Sequence, residues 1–583
     1  MKLLCSLSAL PLLTAVLTPL SAAPPGRSQA IAPRPSSSAL VDPQVVLNQA
    51  GVPGHWSFEV FVIGPATMRP ASRAEVIEVA SGEVVARAPV GRSKLDPDTG
   101  DTLAVIRVPP LRTAGEYVVR VGDLRSPTFA VGPEVHGSLE RLLLRSFYLQ
   151  RCGHALDDRL TGIHHGACHL GDGKLPNAGA SWEASGGWHD AGDYGKYVAT
   201  TAVSIGRVLH AYEREPARFA FDDLDIPESG NGVPDVLDEM KVGLDWMLKM
   251  QRADGAVYRK VGGKEWPKRL LPEDDSQVRY VHGVTSPETA KAAAAWALAA
   301  RLYRPTHPRD AERYLAAARR AWAWLATQPE QVFDWREGDD SGSGPYRSNE
   351  VDREASLLHD RDDRLWAATE LAITTGEASW LATATELARQ APVNLYEWKD
   401  ASLLALSYFV WHPALAKQRE LARIIGARLA RRAQAPLAQV RRGGYRIANQ
   451  RFVWGSNKMT AEEGVLMCLA HRLTRRPELL AAARDQLHYL LGRNHFGTSF
   501  VSGVGERAVR NVTHIFGEAA RVEIPGLFVG GPNEAEQSNI APRHLGARSW
   551  VDDRRSYATN EYAIDYNASL LGLLSVLRND CAR

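Results

Sequence analysis

The sequence predicts a mainly α-helical protein, an (α/α)6 barrel that follows a small β-sandwich. Two observations on its 583 residues carry this prediction. Short runs rich in β-branched and aromatic residues occupy residues 41–133, and helical periodicity replaces them from about Leu139 onward. About twelve amphipathic runs in one region fit a barrel of six inner and six outer helices. A helical solenoid is the alternative, but no fixed-length repeat supports it.

The sandwich prediction depends on four runs that are each short enough to be one strand. Glycine or proline turns separate each run from the next. Several short strands at this spacing are typical of a β-sandwich. The four runs are Phe58–Val62, Thr102–Val108, Glu116–Val121 and Thr128–Val131.

The barrel prediction covers residues 138–583. In Val236–Leu248, for example, apolar residues recur every three to four positions, as they do on one face of a helix. Long loops in a compact domain are usually functional, so candidate site residues are sought in them. The predicted helices span residues 138–151, 197–214, 234–251, 287–303, 309–327, 363–376, 378–390, 399–411, 415–431, 459–473, 477–491 and 561–577. The long loops rich in Gly, Pro and charged residues are 152–195, 255–286, 329–360 and 493–560.

The first 40 residues have the pattern of a targeting segment followed by a leader. A charged start, an apolar run to Leu20 and the small residues Ser21–Ala23 predict a secretory signal peptide over residues 1–23. Residues 24–40, rich in Pro, Ser and Ala, are predicted to be a flexible leader. We therefore expect a secreted or periplasmic protein, and no later stretch is apolar enough to span a membrane. The cysteines left after cleavage are too few for a disulfide framework. They are Cys152, Cys168, Cys468 and Cys581.

Charge and composition bear on the choice of partners. The 69 basic and 67 acidic residues leave a formal net charge of +2, which is too balanced for a nucleic-acid or anionic-membrane surface. We expect a monomer that binds neither. The 15 tryptophans are a high count, and sugar rings stack on flat aromatic faces, although most of these rings are expected in the core.

Two segments with carboxylates carry the predicted chemistry. Gly186–Tyr197 places Asp190 and Asp193 three residues apart in a Gly-rich turn, where paired carboxylates can orient a water molecule and take its proton. An Asx-type turn or a calcium loop is the alternative interpretation of this segment. Near the C-terminus, Glu561 lies where a loop enters the last predicted helix. Taken alone, Glu561 would be interpreted as a carboxylate that complements the helix dipole.

Together the two segments resemble glycoside hydrolase family 9, the cellulase family with an (α/α)6 barrel. The resemblance implies that Asp193 is the general base, that Asp190 assists it, and that Glu561 is the general acid. It also implies an inverting reaction on a β-linked glucan or oligosaccharide. The N-terminal sandwich is similar to the immunoglobulin-like domain in one branch of the family. The C-terminal segment matches the family signature at Trp550, Asp552, Tyr557, Glu561, Ala563, Asn567 and Ala568.

The candidate zinc ligands are Cys152, Cys168, His169 and His189. Two Cys and two His form a common tetrahedral zinc set, and their spacing resembles the zinc loop in the two-domain branch of the family. The resemblance implies a structural ion that fixes the backbone next to Asp190. A Cys152–Cys168 disulfide is the alternative, and His164 or His165 could replace a ligand. Calcium is implied more weakly, and although loops such as Glu228–Asn231 or Asp339–Asp340 could supply oxygens, no calcium ligands are assigned.

The segment Ser499–Ile515 departs from the family pattern. Where the family has a substrate-contacting P-H-H-R stretch, Thr513 stands at the first His and Ile515 at the Arg, and only His514 remains. Ile lacks the planar fork of donors that Arg offers a sugar. The sugar therefore stays open between glucose in cello-oligosaccharides and glucosamine in an exo-acting enzyme on chitosan. A cationic sugar would favour carboxylates, which Glu506, Glu518 or Glu523 could supply. The candidate substrate-binding residues are Trp188, Tyr194, Trp454, His514 and Tyr557.

Two other functions compete with this interpretation. A carbohydrate-binding protein on an inactive hydrolase scaffold is the first, and the presence of all three carboxylates argues against it. A polysaccharide lyase is the second. Lyases depend on Tyr, His or Arg around an acidic sugar, and the C-terminal signature disfavours one. The sequence alone separates neither endo from exo action nor a substrate-binding sandwich from a supporting one.

Overall fold

The structure is a computed structural model that describes residues 42–176, 179–328 and 359–579. The predicted signal peptide, the leader and Cys581 lie outside the described residues, and so does most of the predicted loop 329–360. Within the described ranges, every helix is too short or too polar to cross a lipid bilayer.

The N-terminal strands form two antiparallel sheets that face each other, as the sequence predicts. One sheet has the order β1 (Gln44–Val46), β2 (Phe58–Gly64), β6 (Thr102–Val108) and β5 (Lys94–Leu95). The other has the order β4 (Val84–Pro89), β3 (Arg73–Glu78), β7 (Gly115–Val121) and β8 (Leu124–Arg125), and β9 (Phe129–Val131) also pairs with β7. The four predicted runs are β2, β6, β7 and β9. The remaining strands are shorter or more exposed, which explains why periodicity missed them.

Strand β2 is buried on both of its faces. Val60 and Val62 belong to the core between the two sheets, whereas Phe61 and Ile63 belong to the large core of the helical domain. Successive side chains of a strand point to opposite faces, so the run of four apolar residues from Val60 to Ile63 serves two cores. The sandwich is therefore joined to the barrel by a continuous apolar contact.

In the part of the chain that the structure describes, twelve main helices form the (α/α)6 barrel. Most positions of the inner helices are buried, and α4 is buried without a break from Ser286 to Ala300. Outer helices such as α5 bury only one stripe, which is the amphipathic pattern that predicted them. The inner helices are α2 (Val198–Arg214), α4 (Ser286–Leu302), α6 (Arg361–Thr375), α8 (Ser402–Trp411), α12 (Ser456–Thr474) and α16 (Ile564–Asn579). The outer helices are α1 (Val135–Tyr148), α3 (Asp235–Met250), α5 (Pro308–Ala326), α7 (Ala378–Gln390), α10 (Arg419–Arg432) and α13 (Pro477–Leu490).

Each predicted helix corresponds to a helix of the structure, although several ends are displaced by a few residues, as in predicted helix 399–411, which begins at Ser402. The predicted run 415–431 is split into α9 (Pro413–Ala416) and α10, because Pro413 starts a separate short helix. The predicted helix 561–577 begins three residues later, at Ile564. Three short helices were not predicted, because each has too few turns for a periodic pattern. They are α11 (Gln434–Arg442), α14 (Ile515–Ala520) and α15 (Tyr557–Asn560).

The predicted long loops contain small strands that shape the site. A sheet of β12 (Lys196–Tyr197), β13 (Tyr258–Gly262) and β14 (Tyr280–Val284) brings loop 255–286 against the segment with the paired aspartates. The hairpin β10 (Leu156–Asp158) and β11 (Ile163–His165) lies in the first long loop. Strand pairing thus holds together parts of the loops that are far apart in sequence.

Candidate active site

The loop Gly186–Tyr197, called the water loop below, is fastened to the start of α16. The Ile564 amide donates to the Asp190 carbonyl at 2.9 Å, and Ala191 forms an antiparallel bridge with Ala563. Within the loop, the Asp190 amide donates to the Gly195 carbonyl at 2.9 Å. The loop therefore has a fixed backbone directly beside the segment that carries Glu561.

The two aspartates of the water loop differ in exposure. Asp190 is buried and accepts a hydrogen bond from the Thr200 hydroxyl, whereas Asp193 is half-buried. The Tyr197 hydroxyl donates to Oδ2 of Asp193 at 3.3 Å. Burial raises the pKa of Asp193 above its usual range, and the cations Lys260 and Arg279 oppose that rise. Of the two, Asp193 is thus the carboxylate that reaches solvent.

Glu561 lies between α15 and α16 with extended backbone angles, so it is not part of the last helix. Its distance from the helix start removes the simple interpretation as a dipole-complementing carboxylate. Burial raises the pKa of the Glu561 carboxyl well above its usual range, and the negative charges of Asp193 and Asp190 raise it further. This shift favours the protonated form of the carboxyl group, which is the form that a general acid requires.

Gly192 shows how closely the two carboxylate segments approach each other. A Cβ atom at position 192 would lie 2.3 Å from the carbonyl oxygen of Thr513 and 3.2 Å from Oε1 of Glu561. The Ile515 amide also donates to the Gly192 carbonyl at 2.7 Å. Glycine is the residue that allows this approach. The sequence-predicted Asp190, Asp193 and Glu561 are therefore brought together around one glycine.

A buried triad of charges supports the water loop from behind. Asp172 pairs with Arg279 at 2.8 Å and with Lys196 at 2.8 Å, and all three side chains are almost fully buried. Arg279 donates to the Tyr194 carbonyl at 2.7 Å, and Lys196 donates to the Ala184 carbonyl at 2.7 Å. Sequence reasoning assigned no role to these residues. Lys196 lies inside the motif Gly186–Tyr197, so its role could have been suspected from the sequence. Nothing in the sequence around Arg279 indicates a role for that residue.

The four candidate metal ligands converge in one cluster, with all ligand atoms within 4.8 Å of one another. A tetrahedral zinc ion with usual bond lengths separates its ligand atoms by about 3.8 Å for two sulfurs, about 3.6 Å for S and N, and about 3.3 Å for two nitrogens. The two sulfurs here are 3.9 Å apart, the Cys152–His169 and Cys168–His189 distances are 3.6 and 3.8 Å, and the two nitrogens are 3.3 Å apart. The residues therefore fit the ion.

The alternatives to this ligand set are not supported. Cys152 and Cys168 are free cysteines, so the disulfide interpretation is wrong. Neither His164 nor His165 belongs to the cluster, since their Nδ1 atoms lie against the carbonyls of Gly162 and Gly166. Glu228, in a loop considered for calcium, pairs with Arg151 at 2.9 Å. Asp339–Asp340 lies outside the described residues. Calcium thus stays a prediction without assigned ligands.

Contacts behind the four candidate ligands orient the cluster. Nε2 of His169 lies 3.3 Å from Oδ2 of Asp275, and both side chains are almost fully buried. The Cys152 amide donates to the Gly187 carbonyl at 2.8 Å, and the His189 amide donates to the Gln150 carbonyl at 2.8 Å. Because metal-bound His side chains commonly donate their other N–H group to a carboxylate, Asp275 fits the role of an orienting residue.

Two of the aromatic residues predicted to contact substrate are packing residues. Trp188 is 0% exposed, and its Nε1 donates to Glu239 at 2.8 Å. Tyr194 is buried against His169 and His189, and its hydroxyl donates to the Leu270 carbonyl at 2.5 Å. A ring without an exposed face has no surface for a sugar, so the predicted substrate contact of Trp188 and of Tyr194 is corrected.

Trp454 and Tyr557 have exposed rings next to the Glu561 segment. Their side chains are 36% and 37% exposed, and their ring centroids are 5.8 Å apart. The Tyr557 hydroxyl donates to the Gln537 carbonyl at 3.0 Å, which fixes its ring. Large exposed aromatic surfaces beside a cleft are suited to stacking on sugars. These two residues stay candidates for substrate binding.

His514 is buried, and the protein uses both of its ring nitrogens. The Gly517 amide donates to Nδ1 at 3.2 Å, and the Gln150 side-chain amide lies 2.7 Å from Nε2. Burial lowers the pKa of His514 to about 3, so the ring is neutral. His514 therefore supports the loop from inside, which corrects its predicted contact with substrate. The neighbouring Thr513 hydroxyl donates to the Arg554 carbonyl at 2.8 Å.

The three glutamates considered for a cationic sugar have different surroundings. Glu506 accepts hydrogen bonds from Thr128 of the sandwich, so it belongs to the domain contact. Glu518 lies 3.8 Å from Arg269. Glu518 and Glu523 line a cavity of about 270 Å³ together with two arginines, which leaves little excess negative charge. The lining arginines are Arg510 and Arg554.

An (α/α)6 barrel that brings together two aspartates and a glutamate with a raised pKa has the paired carboxyl groups expected of a glycoside hydrolase. The sequence profile of glycosyl hydrolase family 9 matches residues 137–574, and the chain belongs to this family. Family 9 hydrolases invert the anomeric centre.

Three characterised relatives share this match. The chain is 29% identical to endoglucanase D of Acetivibrio thermocellus over 83% of its own length and 76% of the relative. It is 30% identical to a xyloglucan-specific endo-β-1,4-glucanase of Bacteroides ovatus, over 94% of its own length and 96% of the relative. It is also 30% identical to a cellodextrinase of Butyrivibrio fibrisolvens, over 82% and 90% of the two chains.

Two crystal structures of family 9 endoglucanases are similar along most of the chain. A metagenome-derived enzyme is 39% identical, with a TM-score of 0.84 over 92% of this chain and 99% of that one. A zinc-binding triple mutant of another endoglucanase is 33% identical, with a TM-score of 0.82 over 91% of this chain and 100% of that one. Each match covers a larger share of the chain than the barrel alone occupies. Both matches therefore extend over the sandwich as well.

Proposed function

We propose that this glycoside hydrolase cleaves β-1,4-linked glucan chains or cello-oligosaccharides, with Asp193 as base and Glu561 as acid. The single observation that carries the proposal is the approach at Gly192, where the Glu561 carboxyl lies 3.2 Å from the Cβ position of the residue before Asp193. The names of the relatives support the substrate class, since the proteins similar to this chain act on glucans or cellodextrins.

In the proposed mechanism, Asp193 takes a proton from a water molecule as that water attacks the anomeric carbon. Asp190, bonded to Thr200, holds the same water from the buried side. Glu561 gives its proton to the leaving oxygen, and its raised pKa keeps that proton available near neutral pH. An inverting pair needs its carboxyl groups about 6.5–9.5 Å apart so that the water fits between sugar and base.

The exo-acting glucosaminidase stays a weaker alternative. Loss of Arg at position 515 motivates it, because a glucose hydroxyl would lose a donor there. The carboxylates that a cationic sugar needs are, however, occupied by partners or balanced by arginines. A non-catalytic role is also disfavoured, since the geometry around Gly192 brings all three carboxylates together.

We also propose that the Cys152, Cys168, His169 and His189 cluster holds a structural zinc ion. The ligand distances support zinc, and four protein ligands leave no open position for a water or a substrate. When bound, the ion would stabilise the backbone through His189, which directly precedes Asp190. The charged start and apolar run at the N-terminus support action outside the cytoplasm, in the periplasm or the medium.

The test is a panel of cello-, chito- and glucosamine oligomers with a β-1,4-glucan polymer, assayed for reducing ends and product size. Hydrolysis of the cello-oligomers with an initial α-anomer, read by NMR, supports the proposal. Cleavage confined to glucosamine oligomers would replace it with the alternative. The Asp193→Asn variant is the matched inactive control, because it keeps the size of the side chain and removes the base.

A further inference from the structure

The loop that precedes Glu561 is tied to the sandwich by a buried ion pair. Asp101 lies in the turn between β5 and β6, and its carboxylate accepts hydrogen bonds from Arg548 and, at 2.7 Å, from the Tyr445 hydroxyl. Asp101 is 3% and Arg548 15% exposed. Asp101 and Arg548 are 447 residues apart in sequence. A charge-assisted hydrogen bond between such buried groups fixes position more firmly than a surface pair.

From Arg548 a short chain of contacts leads to the candidate acid. Trp550, two residues on, packs against Phe496 and Phe500 with ring centroids 4.7 and 5.1 Å away. Its Nε1 donates to Oδ1 of Asn560 at 3.2 Å. Asn560 directly precedes Glu561.

Asn560 is in turn fixed from several sides. Its side-chain amide donates to the Asn511 carbonyl at 2.5 Å and to Oδ1 of Asp552 at 3.1 Å. Its carbonyl accepts from the Thr513 amide at 2.9 Å, and the carbonyl of Thr513 lies against Gly192. The position of Glu561 therefore depends on a network whose outermost member belongs to the sandwich.

From this path we infer that Asp101 is a positioning residue for the general acid, supplied by the sandwich domain. The inference rests on the proposed role of Glu561. Asp101 touches neither substrate nor Glu561, and it acts through Arg548, Trp550 and Asn560. A misplacement of about 1 Å in a catalytic group can cost about 100-fold in rate, so a remote contact of this kind affects turnover.

A second cross-domain ion pair provides a matched control. Arg446 of the barrel lies 3.0 Å from Oε2 of Glu59 in β2. Both contacts join the sandwich to the helical domain, but Arg446 continues along the chain toward α12 and is not part of the path through Arg548, Trp550 and Asn560. If the ion pairs served only to attach the sandwich, loss of either pair would affect turnover similarly.

The experiment compares two substrates that differ in their need for an acid. Cellotetraose has a poor leaving group and requires protonation, whereas 2,4-dinitrophenyl β-cellobioside has a good leaving group and does not. The variant is D101N/R548Q, which removes both charges at once and leaves no unpaired charge buried. E59Q is the control, and Tyr445→Phe, which removes one neutral bond to Asp101, is a milder second variant.

We expect D101N/R548Q to lower kcat on cellotetraose about tenfold, and on the dinitrophenyl substrate less than about twofold, with KM changed less than about twofold for both. Tyr445→Phe should give a smaller loss in the same direction, and E59Q should leave both substrates unaffected. Equal losses on the two substrates, or a kcat on cellotetraose within twofold of the unaltered protein, would overturn the inference. Turnover of both substrates by the unaltered protein tests the proposed function separately.

Discussion

The segments that carry the candidate base and the candidate acid are held in opposite electrostatic surroundings. Asp193 lies near the cations Lys260 and Arg279, which counteract the effect of burial on its pKa. Glu561 is acted on by Asp193 and Asp190, which add to the effect of burial. The cations thus limit the rise in the pKa of Asp193, whereas the neighbouring negative charges increase the rise in the pKa of Glu561, as a base and an acid in one cleft require.

The two segments also differ in the reach of their supports. The metal cluster beside the water loop is built from groups near it in sequence, since Cys152, Cys168, His169 and His189 lie within one long loop. More distant residues such as Arg279 and Ile564 also bond to the water loop. The acid segment is held by aromatic and amide contacts that extend to the sandwich. Supporting residues that are close together in the sequence can be recognised as a motif, whereas supporting residues that are far apart in the sequence cannot.

The largest expected effects come from replacing each of the two carboxylates in turn, which tests their separate roles directly. Asp193→Asn should lower kcat on cellotetraose and on 2,4-dinitrophenyl β-cellobioside alike, by about 10³-fold, because the base is needed for every substrate. Glu561→Gln should cause a similar loss on cellotetraose but keep most turnover of the activated substrate. Initial rates of the two variants on both substrates check this. Identical patterns for the two variants would contradict the assigned roles.

Loss of one candidate metal ligand should lower kcat by a smaller factor than loss of the candidate base Asp193. Cys168→Ala removes one ligand, so we expect loss of bound zinc and a decrease in kcat of about 10- to 100-fold, as the backbone before Asp190 loosens. Elemental analysis and kinetics measure the two effects together. Cys468→Ala, at a buried position in α12, is the control and should keep its zinc. Full zinc content in the Cys168 variant would remove the ligand assignment.

The exposed rings beside the acid segment should affect substrate binding more than turnover. Trp454→Ala and Tyr557→Ala each remove a stacking surface, so KM for cello-oligosaccharides should rise about 3- to 10-fold with kcat less affected. Trp266→Ala provides a comparison, because that ring is 51% exposed and belongs to a different loop. An equal rise in KM for Trp266→Ala would show that general exposure, rather than position, determines the effect.

The smallest expected effect concerns the pH profile. The Tyr197 hydroxyl lowers the pKa of Asp193, so Tyr197→Phe should raise that pKa. Because Asp193 acts as a base only when ionised, activity is lost as the pH falls through its pKa. The acidic limb of kcat/KM should therefore move to higher pH, while the alkaline limb, set by Glu561, stays in place. Movement of the alkaline limb alone would contradict the assignment.

Much of the fold was predictable because periodicity reports burial directly. The inner and outer helices and the longer strands were found from apolar spacing, and the four candidate zinc ligands from their residue types and the resemblance to the family. The side of a motif that faces the interior was not predictable. Trp188 and Tyr194 stand in the motif beside Asp190 and Asp193, yet their rings pack inward. Adjacency in sequence does not reveal which neighbours of a catalytic residue reach the solvent.

Residues that support the site only through tertiary contacts could not be identified from the sequence either. Arg279, Asp275 and Asp101 are single charged residues in loops, and nothing in their immediate sequence distinguishes them from solvated charges. Glu506 was considered for a sugar but binds the sandwich, for the same reason. Only the folded chain shows that these charges have buried partners.

Gly192 limits how this cleft can be redesigned. Even a methyl group at that position would meet the Thr513 carbonyl at 2.3 Å, a contact that backbone atoms cannot yield to cheaply. A saturation library at position 192 should return only glycine among its active clones. Searches for altered sugar preference therefore belong at Trp454, Tyr557 and Ile515, where side chains can change without separating the two halves of the catalytic apparatus.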